Sequence, residues 1–371
     1  MKHLILLTLF LLSLSCGIGK EKDMGIIPQT DSIAPQKITL LFVGDLMQHQ
    51  AQISAARTSA GYDYSDCFQY VKEEISKADI AIANLEVTLG GRPYRGYPAF
   101  SAPDEYLPAI CDAGFDVLLT ANNHCLDKGK KGLERTIQLL DSFGIPYAGT
   151  YINKEEREKR YPLLIEQNGF RLSILNYTYG TNGIEVNAPN IVNYIDKEII
   201  AEDIEHAKAQ QPDVIIACMH WGIEYQSLPN KEQKELANWL LEQGVTHVIG
   251  SHPHVVQPIE LRTDSVSGAG HLVAYSLGNF ISNMSNRKTD GGIVLKLELT
   301  KDSLTTLSDC RYGLVWTARP DGQKRKNHTL IPPNYPTDSL TTRERNLLKI
   351  FVDDSRALFK EHNKDVYEYT F

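Results

Sequence analysis

Cysteine is scarce in this chain of 371 residues, and the six present follow no paired spacing. After Cys16 come Cys67, Cys111, Cys125, Cys218 and Cys310, an odd set lying mostly inside apolar runs. Such a set is a poor disulfide framework, although an exported chain could form one or two bonds. It does not fit a thiolate zinc site either. A chain of this length buries a full core without covalent staples. Basic residues are outnumbered, 38 Lys and Arg against 46 Asp and Glu, for a formal charge of −8. That balance argues against nonspecific nucleic-acid binding. The chain has no G-x-G-x-x-G and no Walker glycine–lysine loop, so no nucleotide cofactor is indicated. It also lacks a G-x-S-x-G elbow, and neither Ser251 nor Ser276 has an identifiable base-and-carboxylate relay. No internal repeat is present, and after the first residues no apolar segment is long enough to span a bilayer.

The first residues read as an export signal. Met1-Lys2-His3 is a basic start, Leu4 to Leu14 is apolar but for Thr8 and Ser13, and Ser13-Leu14-Ser15-Cys16 ends the run. The stretch is too short for a spanning helix and is set aside from fold reasoning. Cys16 resembles the acceptor of a bacterial lipoprotein signal, with Ser13 where such signals usually have leucine. Residues 1–15 are therefore expected to be a lipoprotein-type signal peptide. Residues 16–36, polar and with two prolines, read as a tether. The protein is expected to be exported and held at the cell envelope by lipid on Cys16, its sole membrane attachment.

From Lys37 the pattern is α/β. Apolar runs at Ile38–Val43, Ile80–Ala83, Asp116–Thr120 and Val214–Cys218 read as strands, the first stopped by Gly44-Asp45. Helices are expected over Phe68–Lys77, Asp104–Ala113, Ile199–Gln210 and Lys231–Gln243, the last burying Leu236, Trp239 and Leu240. Another places Leu133, Ile137 and Leu140 on one face, with Gly144 as its C-terminal cap. Near-continuous apolar strands alternating with helices predict parallel pairing covered on both faces. Gly270–Leu277 and Gly291–Leu299 lack a crossover helix between them. They read as the antiparallel part of a mixed sheet or the second layer of a sandwich. One large domain over 37–300 is expected. Residues 301–371 form an extension packed on it, with a strand around Tyr312–Ala318 and a helix from Thr341 to Phe351.

Five strand ends run into polar clusters: Gly44-Asp45, Asn84-Leu85-Glu86, Asn122-Asn123-His124 with Asp127, His220-Trp221-Gly222 with Glu224, and Gly250-Ser251-His252-Pro253-His254. Open α/β sheets place ligands at such carboxyl ends. Each cluster alone has an ordinary reading: Asp45 could cap a turn, Asn122 could satisfy backbone donors, and Asp127 could be a helix N-cap. Together they set carboxylates, imidazoles and amides on one sheet edge. Mn, Fe and Zn accept such mixed N/O ligands. Two close ions would need about six to eight protein ligands, one of them bridging, and would activate a water. His124, with Asp127 setting its tautomer, is the candidate proton donor to a leaving oxygen.

The ordered set Gly44-Asp45-Leu46-Met47, Asn84-Leu85-Glu86, Ala121-Asn122-Asn123-His124, His220-Trp221-Gly222-Ile223-Glu224, Gly250-Ser251-His252-Pro253-His254-Val255 and Ser276-Leu277-Gly278-Asn279-Phe280 resembles the CapA family of capsule-synthesis proteins. That family is linked to making, exporting or anchoring poly-γ-glutamate. It is similar in turn to the calcineurin-like metallophosphatases, which implies a four-layer αββα sandwich of mixed sheets with a centre for one or two divalent ions. The resemblance implies Asp45, Glu86, Asn123, His220, His252 and His254 as metal ligands and His124 with Asp127 as the catalytic pair. Asn84, Asn122, Glu224, Asn279, Arg92 and Arg95 are the candidates for binding substrate. Met47 stands where the metallophosphatase Asp-x-His motif has its histidine. A thioether is a poor ligand for a borderline ion, so the set implies one metal, or two of unequal affinity, unless His49 substitutes. The implied function is metal-dependent hydrolysis of a phosphoester or γ-glutamyl amide, beside polymer synthesis or export partners. The alternative is a non-catalytic polymer-binding or scaffold role in a membrane export complex.

The signal reading has a direct test. Mass spectrometry of the native protein should show Cys16 as its first residue, carrying lipid; an unmodified Cys16 overturns it.

Overall fold

The apolar runs become strands because each is short, flanked by glycine or polar turns, and rich in β-branched residues. A computed structural model describes residues 35–264, 269–321 and 325–371. The expected signal, Cys16 and nearly all of the tether lie outside the described residues.

Strands β1 (Gln36–Leu46), β2 (Ile80–Leu85), β3 (Val117–Leu119) and β4 (Tyr147–Ala148) run parallel, side by side. The helices Lys72–Ser76, Tyr106–Asp112 and Gly129–Phe143 connect them. A short β5 (Thr150–Tyr151) follows, and then β6 (Leu163–Gln167) and β7 (Phe170–Thr178) open the second sheet as a hairpin. The short β8 (Ile191–Val192) pairs back with β5. Next come β9 (Val214–His220) and β10 (His247–Ser251), parallel to β7 and to each other, then β11 (Ile259–Thr263) and β12 (Gly270–Ala274). Strand β13 (Asn279–Ile281) returns the chain to the end of β1, and β14 (Gly291–Lys301) runs antiparallel along β1. The last strands, β15 (Thr305–Ala318), β16 (Thr329–Ile331) and β17 (Tyr367–Glu368), extend that sheet.

Two mixed sheets result, in the orders β16-β15-β14-β1-β2-β3-β4 and β11-β12-β10-β9-β7-β6. Both β2 and β9 are buried at every position, as strands covered on two faces must be. The inner residues of both sheets, such as Ile82, Leu295, Ile216 and Val248, belong to one continuous apolar core flanked by helices. The architecture is thus the expected α/β sandwich of mixed sheets. The Gly129–Phe143 helix buries Leu133, Ile137 and Leu140, and Gly144 ends it at φ 66° as a left-handed cap.

Several boundaries differ from expectation. The helix expected from Phe68 is only Lys72–Ser76, and the terminal helix runs far past Phe351, over Thr342–His362. On the Lys231–Glu242 helix the buried set is Gln233, Ala237 and Leu240, while Leu236 and Trp239 are half-buried. The face is turned because Gln233 closes a capping box with Asn230. Strand β12 pairs parallel with β10 and antiparallel with β11, so it belongs to the second sheet, away from the antiparallel β14. Strand β1 does not stop at Gly44-Asp45 but continues to Leu46 with a register shift between Val43 and Asp45. Glycine permits this. A Cβ on Gly44 would sit 1.9 Å from the Gly278 carbonyl, the group to which the Asp45 N–H donates at 3.1 Å.

Gly44→Ala should therefore force β1 away from the 277–281 segment. The expected loss is about 1–3 kcal/mol of stability, as for other overpacked interiors. Denaturant unfolding should show a lower midpoint at unchanged slope.

Candidate metal centre

The carboxyl ends of β1, β2, β9 and β10 bring Asp45, Glu86, His220, His252 and His254 together, each buried. Glu86 is the centre of the group. One of its oxygens, Oε1, lies 3.8 Å from His220 Nε2 and 3.9 Å from His254 Nε2. Asp45 Oδ2 is 3.3 Å from His254 Nδ1. Two potential ligand triads follow, Asp45–Glu86–His220 and Glu86–His252–His254, with ligand atoms of each within 4.8 Å of one another. Glu86 belongs to both. The Asn123 amide oxygen stands 2.7 Å from His220 Nε2, facing the same space.

The turn after β10 achieves this by unusual backbone geometry. His252 and His254, on either side of Pro253, have φ of 102° and 58°. Non-glycine residues in such conformations carry strain of roughly 1–3 kcal/mol each and persist only where the surroundings hold them. Here Trp221 N–H donates to Ser251 O at 3.1 Å and Tyr225 N–H to Pro253 O at 2.8 Å. A Cβ on Gly250 would lie 2.0 Å from Tyr275 O, so only glycine lets β10 pass.

The asparagines are tied into the group by hydrogen bonds. Asn84 donates to Asp45 Oδ1 at 2.7 Å, and Asn122 donates to Leu85 O at 2.8 Å while accepting the His124 N–H. Asn279 Oδ1 is 3.0 Å from His254 Nδ1, and its amide nitrogen donates to Thr289 O at 2.8 Å. All three are buried with their amide groups engaged. Their amides orient the side chains and backbone around the candidate ligands.

His124 Nδ1 is 2.8 Å from Asp127 Oδ2, an oxygen that also accepts the Phe100 N–H at 2.7 Å. The Phe100 ring meets the His124 ring edge-on at 4.7 Å. Asp127 is not a helix cap, since the N-cap of the following helix is Lys128. Arg92 stacks on Tyr94 at 5.0 Å, and the backbone of Arg95 pairs with Ser101. Neither belongs to the buried group, although their loop reaches it through Phe100. Glu224 is exposed, on the loop that follows β9.

Met47 is buried, and His49 belongs to neither ligand triad. His49 caps the Gln50–Ala56 helix, and its Nδ1 lies 3.3 Å from Gln52 Oε1 and 3.3 Å from the Asn283 N–H. Tyr179, Asn182 and Ser251 were not anticipated as neighbours. The Tyr179 ring is 4.5 Å from that of His252, Asn182 accepts from Asn123 at 3.2 Å, and Ser251 Oγ is 3.1 Å from His220 Nδ1. The apolar run of β7 ending in Tyr179-Gly180-Thr181-Asn182 carries the same signal as the other strand ends.

Burial dominates the electrostatics. It pushes Glu86 well above the ordinary carboxyl range, and the neighbouring Asp45 charge pushes it further. Burial, then the other imidazoles, holds His220 well below its ordinary value, and burial with His254 lowers His252 to about 3. Burial opposes charge on His254 as well, yet contact with Asp45 raises it. Both Glu86 oxygens and His252 Nδ1 have no hydrogen-bond partner among the described residues. Neutral imidazoles and an orphaned carboxylate are the lone pairs that a borderline divalent ion takes up. The residues fit such an ion, and no cysteine is in either triad.

The span that carries all of these residues matches a known family. Residues 39–284 match the family described as bacterial capsule synthesis protein PGA_cap, and the chain belongs to it. The capsule biosynthesis protein CapA of Bacillus anthracis is 26% identical over 301 residues, covering 76% of this chain and 70% of that protein. The PGA biosynthesis protein CapA of Bacillus subtilis (strain 168) is 27% identical over 350 residues, covering 90% and 82%. Among solved structures, the NAD nucleotidase of Haemophilus influenzae gives a TM-score of 0.48 at 12% identity, covering 91% of this chain and 58% of that one. The calcineurin-like phosphoesterase YfkN of Bacillus subtilis gives 0.47 at 15% identity, covering 86% and 99%. At these scores the likeness bears on neither chemistry nor substrate.

Metal uptake should be linked to protons. Glu86 and His254 both hold protons more tightly than their ordinary values of 4.5 and 6.5, and both must lose them to ligate. Affinity should therefore climb as pH rises past those values and flatten once both groups are deprotonated. Calorimetry of Zn or Mn binding in buffers of differing ionisation enthalpy should register the released protons.

Proposed function

We propose that the protein is a divalent-metal-dependent hydrolase of the cell envelope, cleaving a phosphoester or amide bond in the making or export of an anionic polymer such as poly-γ-glutamate. The observation that carries the reading is Glu86, fully buried, unpartnered at both oxygens and shared by two ligand triads. A side chain so placed is costly to fold without a cation and suits a ligand that bridges two positions. The names of the two Bacillus relatives support the polymer half of the reading. In this reading Cys16 carries the lipid that anchors the chain beside its synthesis or export partners.

The ligands would be Asp45, Glu86, Asn123, His220, His252 and His254, holding one or two ions of Mn, Fe or Zn. Met47 withholds a ligand from the position nearest Asp45, which favours unequal affinities. A bound ion supplies Lewis acidity, lowering the pKa of water from about 15.7 toward about 7 and polarising a phosphoryl or carbonyl oxygen. This chain's own proton chemistry rests on His124. Asp127 accepts from its Nδ1, which orients the ring, and in the imidazolium form the Nε2–H gives its proton to the departing oxygen or nitrogen. Phe100, packed on the ring, restricts water around it.

Two variants separate ligation from proton transfer. His252→Ala should lose metal and turnover together. His124→Ala should keep most of its metal and lose roughly 10²–10⁴-fold in turnover. Metal content by mass spectrometry, with assays on a generic phosphodiester and on poly-γ-glutamate with and without chelator, reads both. A parent protein with no metal-dependent turnover, whose His252→Ala variant still supports polymer export, would be a scaffold instead.

A further inference from the structure

A cavity of about 290 Å³ adjoins the metal centre. Its apolar walls are Ile195, Trp221, Leu236 and the ring of Tyr179, and its charged lining residue is Glu232. The polar lining is otherwise committed. Asn230 Oδ1 accepts the Gln233 N–H at 2.8 Å, and the Gln233 amide is bonded to Asn230 N and to Gln257 at 3.0 and 2.9 Å. Glu232 receives only a 3.5 Å contact from Asn230 Nδ2. Tyr179 belongs to both places, lining the cavity and packing on His252 at 4.5 Å.

The neighbouring surface repeats this character. Tyr179 and Tyr225 keep about half their surface, 48% and 50%, open to solvent, and the Tyr225 ring is 6.2 Å from that of His254. Glu224 acts on both: burial first, then its charge, raises both phenols to about 12. Neither Glu224 nor Glu232 forms an ion pair among the described residues. Lys288 reaches the same loop but its Nζ is engaged by Ser227 Oγ at 3.3 Å. The loop bearing Arg92 and Arg95 approaches the centre through a different residue, Phe100 on His124.

Exposed aromatic rings and carboxylates that no cation pairs among the described residues, beside an apolar pocket, attract an organic cation and repel an anion. We propose that this cavity is a subsite for an aliphatic group ending in an ammonium, carried by the substrate whose reacting bond lies at the metal centre. The identity of that neighbouring bond rests on the hydrolase reading; binding of the group does not. The subsite accordingly selects an amine-bearing part of the substrate, while anionic parts are held elsewhere.

Hexylammonium, hexanoate and hexanol, titrated calorimetrically into the full chain at pH 7 with Zn and again with chelator, test this. The ammonium should bind at one saturable site at least about fivefold more tightly than hexanol, with hexanoate weaker still. Glu232→Gln and Glu224→Gln should each weaken it by roughly threefold or more at unchanged metal content, and Tyr179→Ala should weaken it further. Hexanol or hexanoate binding as well as the ammonium overturns the proposal, as do glutamine variants that bind like the parent. Turnover is not read, so failure here leaves the hydrolase reading standing, and loss of that reading leaves this titration interpretable.

Discussion

A carboxylate at zero exposure with no hydrogen-bond partner among the described residues is the constraint around which the rest of this fold is arranged. Glu86 sits where two sheets present their carboxyl ends, with the imidazoles of His220 and His254 within 4 Å of one oxygen and the Asp45 carboxylate beside it. Alone in an apolar core such a group would be neutral or absent. The surroundings make sense as a set of lone pairs turned toward one space, with a second layer of amides that fixes their directions. Asn84 on Asp45 and Asn279 on His254 form that layer. Outer partners of this kind set tautomer and ring orientation in metal sites, which is why buried asparagines gather here.

The backbone makes the same concession twice. Gly44 and Gly250 each let a strand end pass a carbonyl at a distance no side chain tolerates, and both lie within four residues of a candidate ligand. The left-handed residues His252 and His254 add strain at the same spot. Neighbouring strands supply the compensation, since Trp221 and Tyr225 tie the turn to the loop after β9. Stability is thus lent by the sheet interior to hold a geometry that local preference opposes.

Charge is divided around this centre. Its interior is neutral imidazole and protonation-prone carboxyl. One bordering loop carries arginines and reaches in through Phe100, while the aromatic surface at Tyr179 and Tyr225 carries carboxylates. At an overall charge of −8, any attraction of this protein for an anion has to be local.

Much of this was legible in the sequence. Apolar runs ending in Asp45, Glu86, Asn123, His220 and the His252-Pro253-His254 turn located both the strands and the edge at which they meet, because period and punctuation are local properties. The Gly144 cap was legible for the same reason. Other features depended on contacts far along the chain. The continuation of β1 through Gly44 required Gly278 opposite it, and the parallel placement of β12 required β10. The duties of Asn84, Asn122 and Asn279 followed from which partner reached each amide first. Tyr179 and Asn182 follow an apolar run like the other strand ends, but their place beside His252 and Asn123 is set only when β7 is laid beside β9. Local chemistry determined which residues could ligate and which runs could be strands; tertiary structure decided who faces whom, since hydrogen-bond pairing and burial are properties of two segments and never of one.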